Sequence, residues 1–151
     1  QPESSAASDV YKRQGPDKVN QLRHARFLSG RIAEHMEQHA TILRPKFALV
    51  DRMLSEQLGA LDIASWTQPN GGYFISLDVL PGLAQKVVAM AKTAGLVLTP
   101  AGATFPYGID PEDRNVRIAP TFGSLSELQG AMQILTLCVK LASARHLLAQ
   151  G

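Results

Sequence analysis

The sequence has few of the features that mark secreted, membrane or nucleic-acid-binding proteins. It contains one cysteine, Cys138, so neither an intrachain disulfide nor a multi-cysteine zinc site can form, which favours an intracellular protein. No apolar run approaches the roughly 18 residues of a membrane-spanning helix, and no secretion signal is present. The net charge is only +2 and no basic cluster occurs. We therefore expect a cytoplasmic protein with no membrane and no nucleic-acid partner.

Several common catalytic motifs are also absent. The spacings GxSxG, GxGxxG and the P-loop do not occur, so hydrolases, dinucleotide-binding enzymes and NTPases have no motif here. What the sequence does have is 45% hydrophobic and 19% charged residues over 151 positions. This composition indicates one globular domain, or at most two small ones, with a real core.

Residues 1–14 differ in composition from the rest. They are rich in Ser and Ala and show no apolar periodicity, and residues 9–14 (DVYKRQ) look like a translated sequencing adapter. We expect residues 1–14 to be a non-native or disordered leader. On that interpretation, the natural protein extends upstream of Gly15 and the chain is a C-terminal piece of it.

The first patterned part of the chain predicts two helices. Apolar residues recur at spacings of three, four or seven between Ile32 and Leu58, which predicts a long amphipathic helix that kinks near Pro45 and stops at Gly59. A shorter helix is predicted over residues 17–28, where Ser29 and Gly30 end it.

The second part alternates strands and helices. The turn signal at residues 69–72 precedes a strand that starts at Gly72, a helix over 83–94 and a short strand over 96–99. After a loop over 100–111, residues 115–119 alternate like a third strand. A final helix follows, and its start is marked by the capping box of Ser124 and Glu127.

These elements together indicate an α/β protein of the α+β type. We expect a small, mostly antiparallel sheet with helices on one face, preceded by the long linking helix.

Two side-chain groups invite a chemical interpretation that we do not favour. His35 and His39 stand one helical turn apart and can in principle hold zinc, but no third ligand is evident, so solvated surface histidines are preferred. Cys138 sits among leucines on a helix, without a feature that lowers its pKa, so we interpret it as a buried structural thiol.

Arg117 is the stronger candidate, because strand alternation places it opposite Val116 and Ile118, beside a glycine-rich loop. A surface or structural ion pair is the favoured interpretation from the residues alone, and a carboxylate-binding role is the alternative. The loop over 99–105 and the Gly71-Gly72 pair have the same ambiguity, since glycines allow close approach to a ligand but also simply make turns.

Three sequence segments resemble those of a known family. The segments GGYFISLD, LTPAGATFP and RNVRIAPT occur in an order and spacing similar to the C-terminal small domain of fold-type I, class I/II pyridoxal-phosphate aminotransferases, and they look closest to the bacterial aspartate-aminotransferase-like subgroup. The resemblance covers about residues 15–148. It implies that residues 15–58 are the end of a large domain with the linking helix, and that residues 59–151 are the small domain.

The resemblance also implies roles for individual residues. Arg117 matches the arginine that binds the substrate α-carboxylate with two parallel hydrogen bonds, whereas Arg114, on the opposite face of the strand, is the weaker candidate. Lys18 matches a position near the substrate's distal carboxylate, although a solvated lysine at a helix start is preferred. Five further residues match positions around the substrate entrance: Gly72, Tyr73, Gly102, Thr104 and Phe105.

The activity implied by the resemblance is amino-group transfer with pyridoxal 5'-phosphate as cofactor, between amino acids and 2-oxo acids, with aspartate and 2-oxoglutarate as the expected pair, in a cytoplasmic homodimer. The family binds its cofactor through a lysine in a Ser-x-x-Lys setting, and none of the six lysines of this chain has that setting. We therefore expect no catalytic and no cofactor-binding residue in this chain, and the catalytic lysine upstream of it. The rival hypothesis is a stand-alone, non-catalytic α+β ligand-binding or regulatory module.

Overall fold

The computed structural model describes residues 17–150, so the predicted leader over 1–14 lies outside the described residues. The chain divides into two compact units, one ending at Thr41 and the other beginning at Ile42. The predicted α+β class is confirmed, with helices and one small antiparallel sheet.

The first unit contains helix α1 (Lys18–Leu28) and the start of helix α2 (Ile32–Leu58). The Asp17 carboxylate caps α1 by accepting a hydrogen bond from the backbone N–H of Val19 at 2.9 Å. His35 and His39 are both exposed, and within residues 17–150 no group of three or more His, Cys, Asp or Glu side chains is placed to hold a metal ion. These two histidines are therefore surface residues, as expected.

Helix α2 continues through Pro45 and ends at Leu58, just before the predicted stop at Gly59. Its second half is the part that is buried, since Leu49, Val50, Met53, Leu54 and Leu58 all belong to the core. The apolar periodicity that predicted this helix thus becomes, in the second unit, one side of a hydrophobic core.

The sheet has three antiparallel strands in the order β1 (Ala64–Trp66), β2 (Ile75–Val79) and β3 (Asn115–Ile118). In β2 and β3, one face is apolar and buried, and the other is polar and half-buried. The apolar face consists of Ile75, Leu77, Val79, Val116 and Ile118.

Helices α3 (Ala84–Thr93) and α4 (Leu125–Leu148) join the second half of α2 in one hydrophobic cluster with the apolar face of the sheet. Cys138 on α4 lies in this cluster, and burial raises the pKa of its thiol. The predicted structural thiol is confirmed. Within residues 17–150, no helix combines the length and the apolar composition that crossing a membrane requires.

Three details of the predicted sheet were wrong. Residues 96–99 do not form a strand, because they pair with no other strand among the described residues, and Leu96 and Leu98 are half-buried against the core instead. The turn at 69–72 extends to Phe74, so β2 begins at Ile75 rather than Gly72. Strand β1 was missed, since three residues are too few to show a period.

The capping box at the start of α4 gives a test of stability. The Ser124 hydroxyl accepts a hydrogen bond from the Glu127 backbone N–H at 3.2 Å, and the Glu127 carboxylate accepts one from the Ser124 N–H at 2.7 Å. Ser124→Ala should lower the free energy of unfolding by about 0.5–2 kcal/mol, measured by urea denaturation. The exposed Ser126 in the first turn is the matched control, and an equal loss in Ser126→Ala would contradict this role of the box.

Candidate functional site

The polar face of the sheet and the loop over 99–105 enclose an open cavity of about 370 Å³. Its walls come from three places in the sequence: the segment that joins β1 to β2, the exposed-face positions of β2 and β3, and the glycine-rich loop. The lining residues are Thr67, Phe74, Ser76, Thr104, Phe105, Asn115 and Arg117.

Arg117 supplies the positive charge of the cavity. Its guanidinium carbon lies 4.5 Å from the centre of the Phe74 ring, and its Nη2 donates a long hydrogen bond of 3.4 Å to the Thr99 hydroxyl. The Nε atom is buried without a hydrogen-bond partner among residues 17–150, and no carboxylate in that range pairs with the side chain. A half-buried guanidinium with unused donors is stabilised when an anion binds it.

Arg114 also has a buried Nε without a hydrogen-bond partner among residues 17–150, but unlike Arg117 it has a carboxylate partner. Its Nη1 donates to the Glu112 carboxylate at 3.0 Å, and this hydrogen bond, with the nearby carboxylates of Asp78, Glu112 and Asp110, outweighs desolvation and raises the pKa of Arg114. Arg114 does not line the cavity. The structural ion pair therefore belongs to Arg114, and the described residues leave Arg117 available to a ligand.

The Asn115 side chain, on β3, links β2 to the loop over 99–105. Its Nδ2 donates to the Ser76 hydroxyl and to the Asp78 carboxylate, each at 2.7 Å, and its Oδ1 accepts from the Thr104 hydroxyl at 2.9 Å. One amide thus fixes three neighbouring polar groups beside Arg117.

Asp110 holds the entry to β3. Its carboxylate accepts hydrogen bonds from the backbone N–H groups of Glu112 at 3.1 Å and of Arg114 and Asn115 at 2.8 Å. Desolvation alone raises the pKa of Asp110, but these three hydrogen bonds and the charge of Arg114 outweigh it, so the pKa lies below its ordinary value. The ionised carboxylate therefore fixes the backbone two residues before Arg117.

Gly102 allows the loop to fold back on itself. It is buried with φ +84°, and a Cβ at this position would collide with the carbonyl oxygen of Gly108. The next turn closes with a hydrogen bond of 2.9 Å from the Phe105 N–H to the Gly102 carbonyl. This close packing places Thr104 and Phe105 at the cavity.

The residues singled out from the sequence fall into three groups. Arg117, Thr104 and Phe105 line the cavity, and Gly102 shapes the loop that carries two of them. Gly72 and Tyr73 lie in the turn before β2 and are not among the lining residues. Lys18 is the exposed first residue of α1, in the first unit, and its role stays a prediction.

Sequence reasoning missed three small polar residues of the site: Thr67, Ser76 and Asn115. Ser76 and Asn115 occupy the same face as Arg117, and the alternation that identified Arg117 could have found them. Thr67 follows β1, and without that strand nothing in the sequence places it near the cavity.

Comparisons with known proteins point to one family. A family model described as aspartate amino-transferase matches residues 9–151. A protein of Mycolicibacterium smegmatis named as an aminotransferase is 53% identical over 136 residues, which is 89% of this chain and 32% of that protein. The crystal structure of an aspartate transaminase from Corynebacterium glutamicum is 44% identical with a TM-score of 0.82, and the match covers 93% of this chain and 34% of that one.

A more distant structure shares the fold. The α-aminoadipate aminotransferase of Thermus thermophilus, complexed with N-(5'-phosphopyridoxyl)-L-leucine, is 19% identical with a TM-score of 0.70, over 83% of this chain and 32% of that one. The chain spans about a third of the length of the curated relatives it matches.

Asp110 gives the site a testable dependence on pH. Because its folded-state pKa lies below the ordinary value of 3.8, its contribution to stability is complete above that value and is lost as the pH falls through the folded pKa. We expect Asp110→Asn to lower the melting temperature at pH 7 and to flatten its decline below about pH 4. Asp62→Asn, at an exposed turn, is the control. Parallel acid profiles for Asp110→Asn and the unmodified protein would contradict this role.

Proposed function

This chain belongs to the aspartate amino-transferase family, and from that premise we propose that it forms the wall that binds the substrate carboxylate in a pyridoxal-phosphate-dependent aminotransferase. The proposed substrates are aspartate and 2-oxoglutarate. The observation that carries the proposal is the half-buried Arg117 guanidinium, which faces a cavity and has no carboxylate partner among residues 17–150.

The chemistry of the cavity fits a carboxylate. A planar guanidinium meets a planar carboxylate through two parallel N–H···O bonds, which fix the orientation of the ligand as well as its charge. The Phe74 ring stacks on the guanidinium and limits its rotation. Amino acid and 2-oxo acid both carry a carboxylate next to the reacting carbon, so one arginine can orient both substrates.

The same cavity does not fit the cofactor by itself. No lysine is among the lining residues, so the walls of this cavity offer no amine to hold an aldehyde such as pyridoxal phosphate. We propose that residues outside this chain bind the cofactor and carry the catalytic lysine. The contribution of this chain is to bind and orient the substrate.

The assembly and location of the complete enzyme are part of the proposal. We propose a cytoplasmic homodimer, as the family resemblance implies. The free, buried thiol of Cys138 agrees with a reducing compartment, because it neither needs nor forms a disulfide.

Substitution of Arg117 tests the proposed role in the complete enzyme. Arg117→Lys keeps the charge but loses the two parallel donors, so kcat/KM for the amino donor should fall about tenfold to a hundredfold. The fall should appear in both half-reactions, measured by single-turnover kinetics, while bound cofactor is unchanged. Arg114→Lys is the matched control and should have a small effect. If Arg114→Lys abolishes both half-reactions while Arg117→Lys does not, the assignment of the arginine is wrong.

The 151-residue chain alone gives an independent test. Treated with pyridoxal phosphate and borohydride, it should not incorporate the cofactor stoichiometrically at one lysine, because no lysine lines the cavity. Peptide mapping by mass spectrometry measures the incorporation. One lysine labelled stoichiometrically and protected by aspartate would show that the chain holds the cofactor itself. Tight binding of a ligand other than an amino or oxo acid would instead favour a non-catalytic binding module.

A further inference from the structure

We propose that Ser76 is a second donor to the carboxylate bound by Arg117, and that Asn115 is the positioning residue that directs the Ser76 proton into the cavity. This inference rests on the proposed function, because it concerns the same carboxylate. It is carried by the hydrogen-bond network around the Asn115 amide.

The network determines which atoms donate. The Asn115 side-chain NH₂ group donates one of its two hydrogens to the Asp78 carboxylate, at 2.7 Å. The second hydrogen of that group goes to the Ser76 oxygen, at 2.7 Å. Ser76 therefore accepts from Asn115, and its own proton has no acceptor among residues 17–150.

The hydroxyl groups of Thr67 and Thr104 differ in whether the proton is already donated within the described residues. Thr67 Oγ1 accepts from the Ser76 backbone N–H at 3.0 Å, which also leaves its proton unused within the described residues. The Thr104 hydroxyl, in contrast, donates its proton to the Asn115 oxygen, so towards the cavity it can only accept a hydrogen bond. The wall around Arg117 thus has donors on the β2 side and an acceptor on the loop side.

The geometry brings Ser76 to the same ligand as Arg117. The two residues are direct partners in the β2–β3 pairing, and both side chains line the cavity. Side chains at directly opposed positions have β-carbons about 4.5–5.5 Å apart. A carboxylate has two oxygens and about four lone-pair sites, so it can accept from the guanidinium and from one hydroxyl together.

The first experiment measures substrate binding in the complete enzyme. Ser76→Ala should raise KM for the amino donor on the order of tenfold with kcat nearly unchanged, because the lost hydrogen bond acts in the ground state and the transition state alike. Ser76→Thr keeps the hydroxyl and should stay within about threefold of the unmodified enzyme. Ser65→Ala, an exposed serine of β1 outside the cavity, is the matched control.

The second experiment tests the positioning role of Asn115. Asn115→Ala should raise KM in the unmodified background, because the Ser76 hydroxyl is then free to rotate. In the Ser76→Ala background the same change should add less than about twofold, since the group that it positions is gone. An equal effect in both backgrounds would show that Asn115 acts through the Thr104 loop and would overturn the positioning role.

The outcomes separate this inference from the proposed function. If Arg117→Lys weakens amino-donor binding and Ser76→Ala behaves like Ser65→Ala, the second donor is wrong and the carboxylate site stands. If Arg117→Lys has no effect on binding, the proposed function itself fails. A Ser76→Ala enzyme that loses kcat and thermal stability together, and that Ser76→Thr does not rescue, would make Ser76 a structural residue only.

Discussion

The antiparallel pairing of β2 with β3 is the constraint on which the site depends. Its register sets Ser76 opposite Arg117 and Asp78 opposite Asn115 on one face, and Leu77 opposite Val116 on the other. A slip of one residue would move the Arg117 guanidinium into the apolar core, where an unpaired charge is very unfavourable. Burial of the apolar face therefore fixes the position of the polar one, and core packing and the arrangement of the cavity are two consequences of one register.

The segment between α3 and β3 holds the remaining parts of the site in place. The Asp110 carboxylate fixes the backbone at the entry to β3, and Gly102 allows the loop to pack closely enough for Thr104 to reach the Asn115 oxygen. Arg117 is thereby held in a site where its Nε is removed from solvent without a partner within residues 17–150. A site with an unsatisfied buried donor is less stable when empty and gains more when an anion occupies it.

The family relationship and the lining of the cavity support the same proposal. The match to aspartate amino-transferases spans most of this chain but only about a third of its curated relatives, and the cavity has the groups to orient a carboxylate without a lysine to hold a cofactor. On the proposed function, binding and chemistry are supplied by different parts of one enzyme. On this proposal, the present chain determines which end of the substrate is recognised, and the cofactor determines what happens to it.

The sequence by itself determined the helices, the capping box at Ser124, the buried character of Cys138 and the outward face of Arg117, because each depends on a local period or a short-range hydrogen bond. It also contained the three segments that resemble the family. Only the tertiary structure decided that residues 96–99 do not pair as a strand, that β1 exists, and that Arg114 rather than Arg117 forms the ion pair. It likewise brought Ser76, Thr104 and Asn115 together across separations of 11 to 39 residues. Such contacts depend on which strands pair and in which register, and that is settled by burial of the whole core rather than by any local segment.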